Sequence, residues 1–250
     1  MQAYWTLVRR ELGSHFFSWT GYIVIAAVLL LLGLSFVDLL TKFNGESMDQ
    51  PLTSIFYSTL YFWLILLLAA PVITMRSFAH EKATGTFETL MTTPVSDAQV
   101  VLAKFSGALL FYVFMCVPLL TWVFIARPLS NVPGIVDGGT IVATFLGIFL
   151  WGCLYMALGC LASATTRNQI IAAIVSLALG ISLFMLSYLA ISMANVQDWR
   201  GQIFSHVGLI EHMKDFARGV VDTRPIVFYL TFTFFFLYLT LKVVESRRWK

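Results

Sequence analysis

The sequence predicts an all-α polytopic membrane protein of six transmembrane helices, with both termini on the cytoplasmic side. Three observations carry this. Hydrophobic residues make up 59% of the 250-residue chain and charged residues only 12%, about half the charged share of an ordinary soluble domain. The apolar residues fall in charge-free runs, and a helix needs about 20 residues to cross ~30 Å of hydrocarbon. Between two of these runs lies a polar stretch, residues 76–104, built to face water. The net charge of +3 is too small to suggest a nucleic-acid partner.

In order along the chain, residues 1–18 place Tyr4, Trp5, Val8, Leu12 and Phe16 on or near one helical stripe, with Arg9, Arg10 and Glu11 largely elsewhere. This pattern predicts an amphipathic helix lying in the membrane interface. The apolar run that follows is too long for a signal peptide and lacks a small-residue cleavage pattern. The expected spans are residues 19–37, 52–75, 105–126, 138–166, 168–197 and 225–241. Residues 138–197 suffice for two crossings, broken at Thr165-Thr166-Arg167-Asn168. The last run is slightly short, but Lys242 can snorkel. An even span count puts both termini and the 76–104 stretch on one side. That side holds ten of the 16 lysines and arginines and the other holds six, so it is expected to be cytoplasmic. The whole chain, 1–250, reads as one transmembrane domain.

Residues 76–104 are expected to form an elbow of two short helices. Gly85 can supply the backbone angle of the turn, and Thr84 or Thr86 an N-cap. Glu88 would sit in the first turn, where the dipole favours a carboxylate. Phe87, Leu90 and Met91 share one apolar face. Pro94 ends that helix, and Ser96-Asp97-Ala98-Gln99 is a capping-box pattern that starts the next. Arg76 and Lys104 read equally well as inside-facing anchors or as partner contacts.

On the other side, residues 198–224 include a second amphipathic pattern: Leu209, Ile210, Met213, Phe216, Ala217 and Val220. Gly219 is a candidate C-cap, and Asp222 or Thr223 caps the last span with Pro225 in its first turn. Such a helix rests on the outer membrane surface or forms a lid over an exit path. Within the spans, Gly147, Gly152, Gly159 and Ala162, then Ala172, Ala173, Ser176 and Gly180, offer small surfaces for helix packing, within the chain or between copies.

Several chemistries are missing. No phosphate-binding loop of the G-x-x-x-x-G-K-[ST] type occurs, His80-Glu81 lacks the second histidine of a metalloprotease signature, and no G-x-S-x-G elbow is present. His15, His80, His206 and His212 are scattered, and Cys116, Cys153 and Cys160 all fall in apolar segments, where they read as packing residues. No catalytic, cofactor-binding or metal residue is expected. The spans carry almost no ionisable group, which argues against a self-powered secondary transporter.

The elbow carries a resemblance. Glu81-Lys82-x-x-Gly85-Thr86-x-Glu88-x-Leu90-x-x-x-Pro94-Val95 resembles the cytoplasmic elbow of ABC-2 type transporter permeases. The interfacial first helix, the six spans, the amphipathic helix before the sixth and the basic C-terminus agree. Arg218-Gly219-Val220-x-Asp222 is similar to the permeases of gliding motility and nitrous-oxide-reductase maturation. The resemblance implies a permease subunit in the bacterial inner membrane, exporting a substrate with energy from a separate ATPase. Two ATPase subunits would hold the ATP and Mg beneath two permease copies, a homodimer or a pair with a close paralogue. Membrane lipid and a periplasmic or auxiliary subunit complete the expected partners. The alternative is a mechanotransmission complex that drives a periplasmic partner without moving cargo. The elbow would be the coupling helix. Phe87, Leu90 and Met91 would form an apolar plug into a cleft on the ATPase, Glu81, Lys82 and Glu88 rim pairs, and Gly85, Thr86 and Pro94 the rest of the contact.

Overall fold

The computed structural model describes residues 2–42, 52–57, 59–91, 95–121, 137–193 and 207–246. Among these the regular elements are all helices: α1 (Gln2–Phe16), α2 (Trp19–Lys42), α3 (Leu52–Tyr57), α4 (Leu60–Thr74), α5 (Ala79–Thr84), α6 (Thr86–Met91), α7 (Asp97–Cys116), α8 (Gly138–Thr165), α9 (Gln169–Met193), α10 (Leu209–Ala217) and α11 (Thr223–Glu245). Among the described residues, six segments are long and apolar enough to cross a membrane: Trp19–Asp38, Leu60–Thr84, Asp97–Thr121, Gly138–Thr165, Gln169–Leu189 and Thr223–Glu245. Residues 122–126 of the expected third span, 194–197 of the fifth, 198–206 of the external segment and the basic residues 247–250 lie outside the described residues.

Helix α8 is the centre of the bundle. Its apolar window is 72% buried, against 22% for the spans of α2, α9 and α11. It reaches that position through its glycines. A Cβ added at Gly152 would stand 2.2 Å from the Tyr112 ring of α7, one at Gly159 2.1 Å from the Thr74 hydroxyl of α4, and one at Gly147 2.9 Å from the Phe216 ring of α10. The small surfaces expected from sequence thus bring helices of the same chain together. Trp151 and Tyr155 of α8 stack at 4.8 Å, and Trp63 of α4 meets Trp151 edge-on at 5.3 Å, a favoured arrangement for aromatic pairs. Cys116, Cys153 and Cys160 are buried and free.

Most helix ends follow their expected chemistry. Ser96 and Gln99 form a reciprocal capping box, with both hydrogen bonds at 3.3 Å. Asp222 accepts from the Arg224 amide at 3.2 Å, with Pro225 buried in the first turn of α11. Asn168 accepts from the Ile170 amide at 2.9 Å and so starts α9 after the expected break. Gly85 and Gly219 both take positive φ, 75° and 83°, the left-handed conformation that suits glycine after a helix end.

The second span departs from expectation. The charge-free run at 52–75 is not one helix: α3 stops at Tyr57, and α4 starts after Thr59, which is extended at φ −75° and ψ 141°. The Thr59 hydroxyl donates to the Phe56 carbonyl at 2.8 Å and bonds the Ser35 hydroxyl of α2 at 2.9 Å. A hydroxyl that bonds locally competes with the helical ladder, and composition does not report it. The span begins later and runs on through a turn at 75–78 into α5, so the elbow continues α4.

Helix α10 is amphipathic as expected, and its apolar face packs on the chain itself. Leu209, His212, Met213, Phe216 and Ala217 are buried, and the helix is pinned into the end of the bundle opposite the elbow. Ser187 of α9 accepts from the Ile210 amide at 3.0 Å, and Thr53 of α3 donates to the Ala217 carbonyl at 2.7 Å. Val220, expected on its apolar face, lies beyond its end and is exposed.

Candidate functional site

The elbow lies where α1, the end of α4, α5, α6, the start of α7 and the end of α8 meet. Its seat is Ser163, near the end of α8. The Ser163 hydroxyl accepts from the Phe78 and Ala79 amides, both at 3.1 Å, and donates to the Met75 carbonyl at 3.2 Å. The first amides of a helix have no intrahelical acceptor, so a neighbouring helix supplies one to α5. Lys82 is buried and donates to the Ala164 carbonyl at the end of α8, where the helix dipole favours a cation. The Phe87 ring lies 5.3 Å from the same ammonium, within cation–π range.

The described ones among the nine elbow residues singled out by sequence divide into a base and a tip, and Thr84 joins the tip. Thr84, Gly85, Thr86 and Glu88 are exposed. The Thr84 hydroxyl donates to the His80 carbonyl at 3.0 Å and bonds the Thr86 hydroxyl at 2.9 Å. Thr84 therefore finishes α5, and Thr86, the other N-cap candidate, is the first residue of α6. Phe87 does not join an outward plug. It is turned inward and 7% exposed, packed with Phe78, Val100, Cys160 and Leu237. The physical reason is size: α5 and α6 have six residues each, too few to be stable without packing, and Phe87 supplies that packing. Glu81 and Lys82 are likewise held inside the chain and form no outward rim. Leu90 and Met91 belong to α6, but their side chains, like all of Pro94, lie outside the described residues.

Glu81 is one corner of a closed ring of four charges. Arg10 meets Glu81 at 2.8 Å and Glu11 at 3.2 Å, and Lys104 meets Glu81 at 2.9 Å and Glu11 at 3.0 Å. Each carboxylate touches both cations, so the ring is neutral and alternating. It joins α1, α5 and α7. The Lys104 side chain is 2% exposed and that of Glu11 9%, whereas Arg10 is half exposed. The Lys104 ammonium also lies 5.4 Å from the Phe78 ring. Beside the ring, Arg76 donates to the hydroxyls of Ser18 (2.7 Å) and Thr20 (2.6 Å) and to Gln169 Oε1 (3.3 Å). The elbow is thus also tied to the α1–α2 turn and the start of α9.

The electrostatics of the ring set a pH dependence. Burial alone would raise the Glu11 carboxyl, but Lys104 and then Arg10 outweigh it and hold the group below its ordinary value of 4.5. Burial lowers the His15 imidazole below 6.5; Lys104 and Arg76 push the same way and Glu11 opposes them. Between the lowered and the ordinary value, the unfolded chain binds more protons than the folded one, so stability falls as pH falls. The unfolding midpoint should be level above about pH 7, decline below about pH 6.5 as His15 comes into play, and steepen below about pH 4.5 with Glu11. His15→Gln should remove the first decline and leave the second, as read by thermal unfolding across pH in a neutral detergent.

Sequence reading missed the partners Arg10, Glu11 and Ser163. A signal for Glu11 was present: Val8, Glu11 and Leu12 fall at i, i+3 and i+4, which puts a carboxylate on the apolar face of α1. Lys104 stands the same way among Val100, Val101, Gly107 and Ala108 of α7, all buried. Two opposite charges on two apolar faces imply that the faces meet.

A family model described as "ABC-2 family transporter protein" matches residues 23–248, that is, from the first turns of α2 to beyond α11. No curated protein matches the chain.

Proposed function

The chain belongs to the ABC-2 transporter family, and from that premise we propose that it is a permease subunit coupling ATP hydrolysis by a separate ATPase to export across the bacterial inner membrane. Membership makes it the membrane component of an ABC transporter, a multi-pass protein whose family lacks a nucleotide-binding domain and works with an ABC ATPase. In the proposed complex, two permease copies stand above two ATPase subunits that hold the ATP and Mg. The termini and the elbow face the cytoplasm.

One observation supports the coupling reading above others: the elbow is exposed at its tip and fastened at its base. Thr84, Gly85, Thr86 and Glu88 face outward. Lys82 binds the end of α8, Phe87 packs with Phe78, Val100, Cys160 and Leu237, and Glu81 joins the charge ring. A push on the tip would reach α1, α4, α7 and α8 together. The ATPase contact is therefore assigned to the tip, and the role of Phe87 to anchoring α6.

The test is the double substitution Thr86→Arg with Glu88→Arg. Both sites are exposed, so the unfolding midpoint should hardly move, within about 0.5 kcal/mol. Stimulation of the co-expressed ATPase should fall about tenfold or more, as for charge reversal at an interface. An ATPase that stays bound and fully stimulated refutes the assignment. Thr86→Cys should also react with an impermeant thiol reagent from the cytoplasmic side, against a low background because the three native thiols are buried.

A further inference from the structure

Between α1, α2, the end of α4 and α7 lies a cavity of about 220 Å³; a single water needs on the order of 10–15 Å³ by the same measure. Its walls are of two kinds. One end is polar, with Arg76, Ser77, His80 and the inner side of the charge ring; the other is apolar, with Val24, Val72, Ile73 and Phe111. Three cations (Arg10, Arg76, Lys104) and two carboxylates (Glu11, Glu81) face it, which leaves one positive charge in excess. The four ring members neutralise one another, so the excess sits on Arg76. Among the described residues, the hydrogen bonds of Arg76 go to Ser18, Thr20 and Gln169, all neutral.

A second, independent observation comes from the cavity wall. Ser77 lines the cavity, is 4% exposed, and its hydroxyl has no hydrogen-bond partner among the described residues. A buried hydroxyl left unpaired costs about 1–3 kcal/mol, so its partner is expected to come from outside the chain. An anion that accepted from Ser77 and Arg76 would satisfy both.

We propose that this cavity binds the phosphate of an anionic phospholipid from the leaflet on the elbow side, with Arg76 and Ser77 as donors. The apolar end at Val24, Val72, Ile73 and Phe111 takes the start of an acyl chain, which a free inorganic anion would leave unused. The polar end lies near the start of the span at Trp19 and just past the end of α4 at Thr74, where a headgroup would sit, and the apolar end at Val72 and Phe111 lies deeper within the spans. The site requires no ATPase, so it stands apart from the coupling assignment. A lipid seated there would brace the charge ring from beside it.

The experiment uses the full chain purified in neutral detergent, titrated with phosphatidylglycerol, phosphatidylcholine or inorganic phosphate. Bound lipid is counted by native mass spectrometry and stability read as the unfolding midpoint. Phosphatidylglycerol should bind one per chain and raise the midpoint, and neither phosphatidylcholine nor inorganic phosphate should reproduce the shift. Ser77→Ala removes no bond within the chain, so its midpoint without lipid should equal that of the unsubstituted protein, while its phosphatidylglycerol affinity falls about tenfold, the loss of a hydrogen bond to a charged group. Arg76→Gln should lose at least as much; if it fails to fold, Ser77→Ala decides alone. Equal phosphatidylglycerol binding by the unsubstituted protein and Ser77→Ala overturns the proposal. So does an equal response to phosphatidylcholine, or an equal response to inorganic phosphate, which would make this a site for free anions.

Discussion

Lys104→Ala should lower the unfolding midpoint of the detergent-solubilised protein by on the order of 6–12 °C, equivalent to about 3 kcal/mol. The magnitude follows from what the substitution leaves behind. Lys104 is buried and lies 3.0 Å from Glu11 and 2.9 Å from Glu81. Without it, two carboxylates share the single, half-exposed Arg10. An uncompensated buried charge costs far more than the pair itself contributes. Arg10→Ala should cost less, because a half-exposed guanidinium is screened by water. Arg9→Ala, on the exposed face of the same helix, should change stability by no more than about 0.5 kcal/mol.

A second variant separates charge from volume. Lys104→Met combined with Glu11→Gln and Glu81→Gln removes three of the four ring charges, leaving only the half-exposed Arg10, while keeping most of the packing. Replacing buried ionic clusters by neutral groups of similar size is often close to neutral for stability. The triple variant should therefore recover much of what Lys104→Ala loses. If Lys104→Ala behaves like Arg9→Ala, the ring does not hold α1 to the elbow. If the triple variant is stable but no longer stimulates its ATPase, the ring serves transmission, which the proposed coupling role requires.

The contrast between legible and illegible parts of this chain has a physical source. Spans are readable because lipid demands about 20 apolar residues in sequence, and the local rules of helix ends made Ser96, Gly85, Gly219 and Asp222 readable as well. Each of those signals lies within a few residues. The ring does not: Glu11 and Lys104 are 93 positions apart, and helical periodicity reports a face without its partner. For the same reason Lys82 looked like a surface charge until the end of α8 came to rest against it. Phe87 was read on the correct short helix but turned the wrong way, because in a six-residue helix the apolar face can serve a partner or the chain itself. The break at Thr59 escaped because a hydroxyl inside an apolar run looks like any other polar residue in a span.

The other large effect concerns how α1 is seated, and it can be produced without touching a charge. A Cβ at Gly21 would stand 1.9 Å from the His15 carbonyl oxygen, and one at Gly107 2.7 Å from the Glu11 Cβ. Neither neighbour is the free end of a flexible side chain: one is backbone and the other is bonded to it. Relief requires α1 itself to move, away from α2 in the first case and from α7 in the second. Gly21→Ala should cost about 3 kcal/mol, the upper end of the range for overpacking, and Gly107→Ala about 1–3 kcal/mol. Gly33→Ala is the control. It lies within α2 with nothing within 4 Å of the added atom, so it should be neutral or slightly stabilising, as alanine is in a helix. Thermal unfolding ranks the three. Gly107→Ala carries a further consequence, since its clash is with Glu11. Prising Glu11 from α7 should open the ring and weaken the decline in stability below about pH 4.5 that Glu11 produces, while the His15 decline near pH 6.5 persists. A Gly107→Ala protein with an unchanged acid limb would mean that Glu11 keeps its partners when α1 shifts, and that the ring is not what fixes the helix in place.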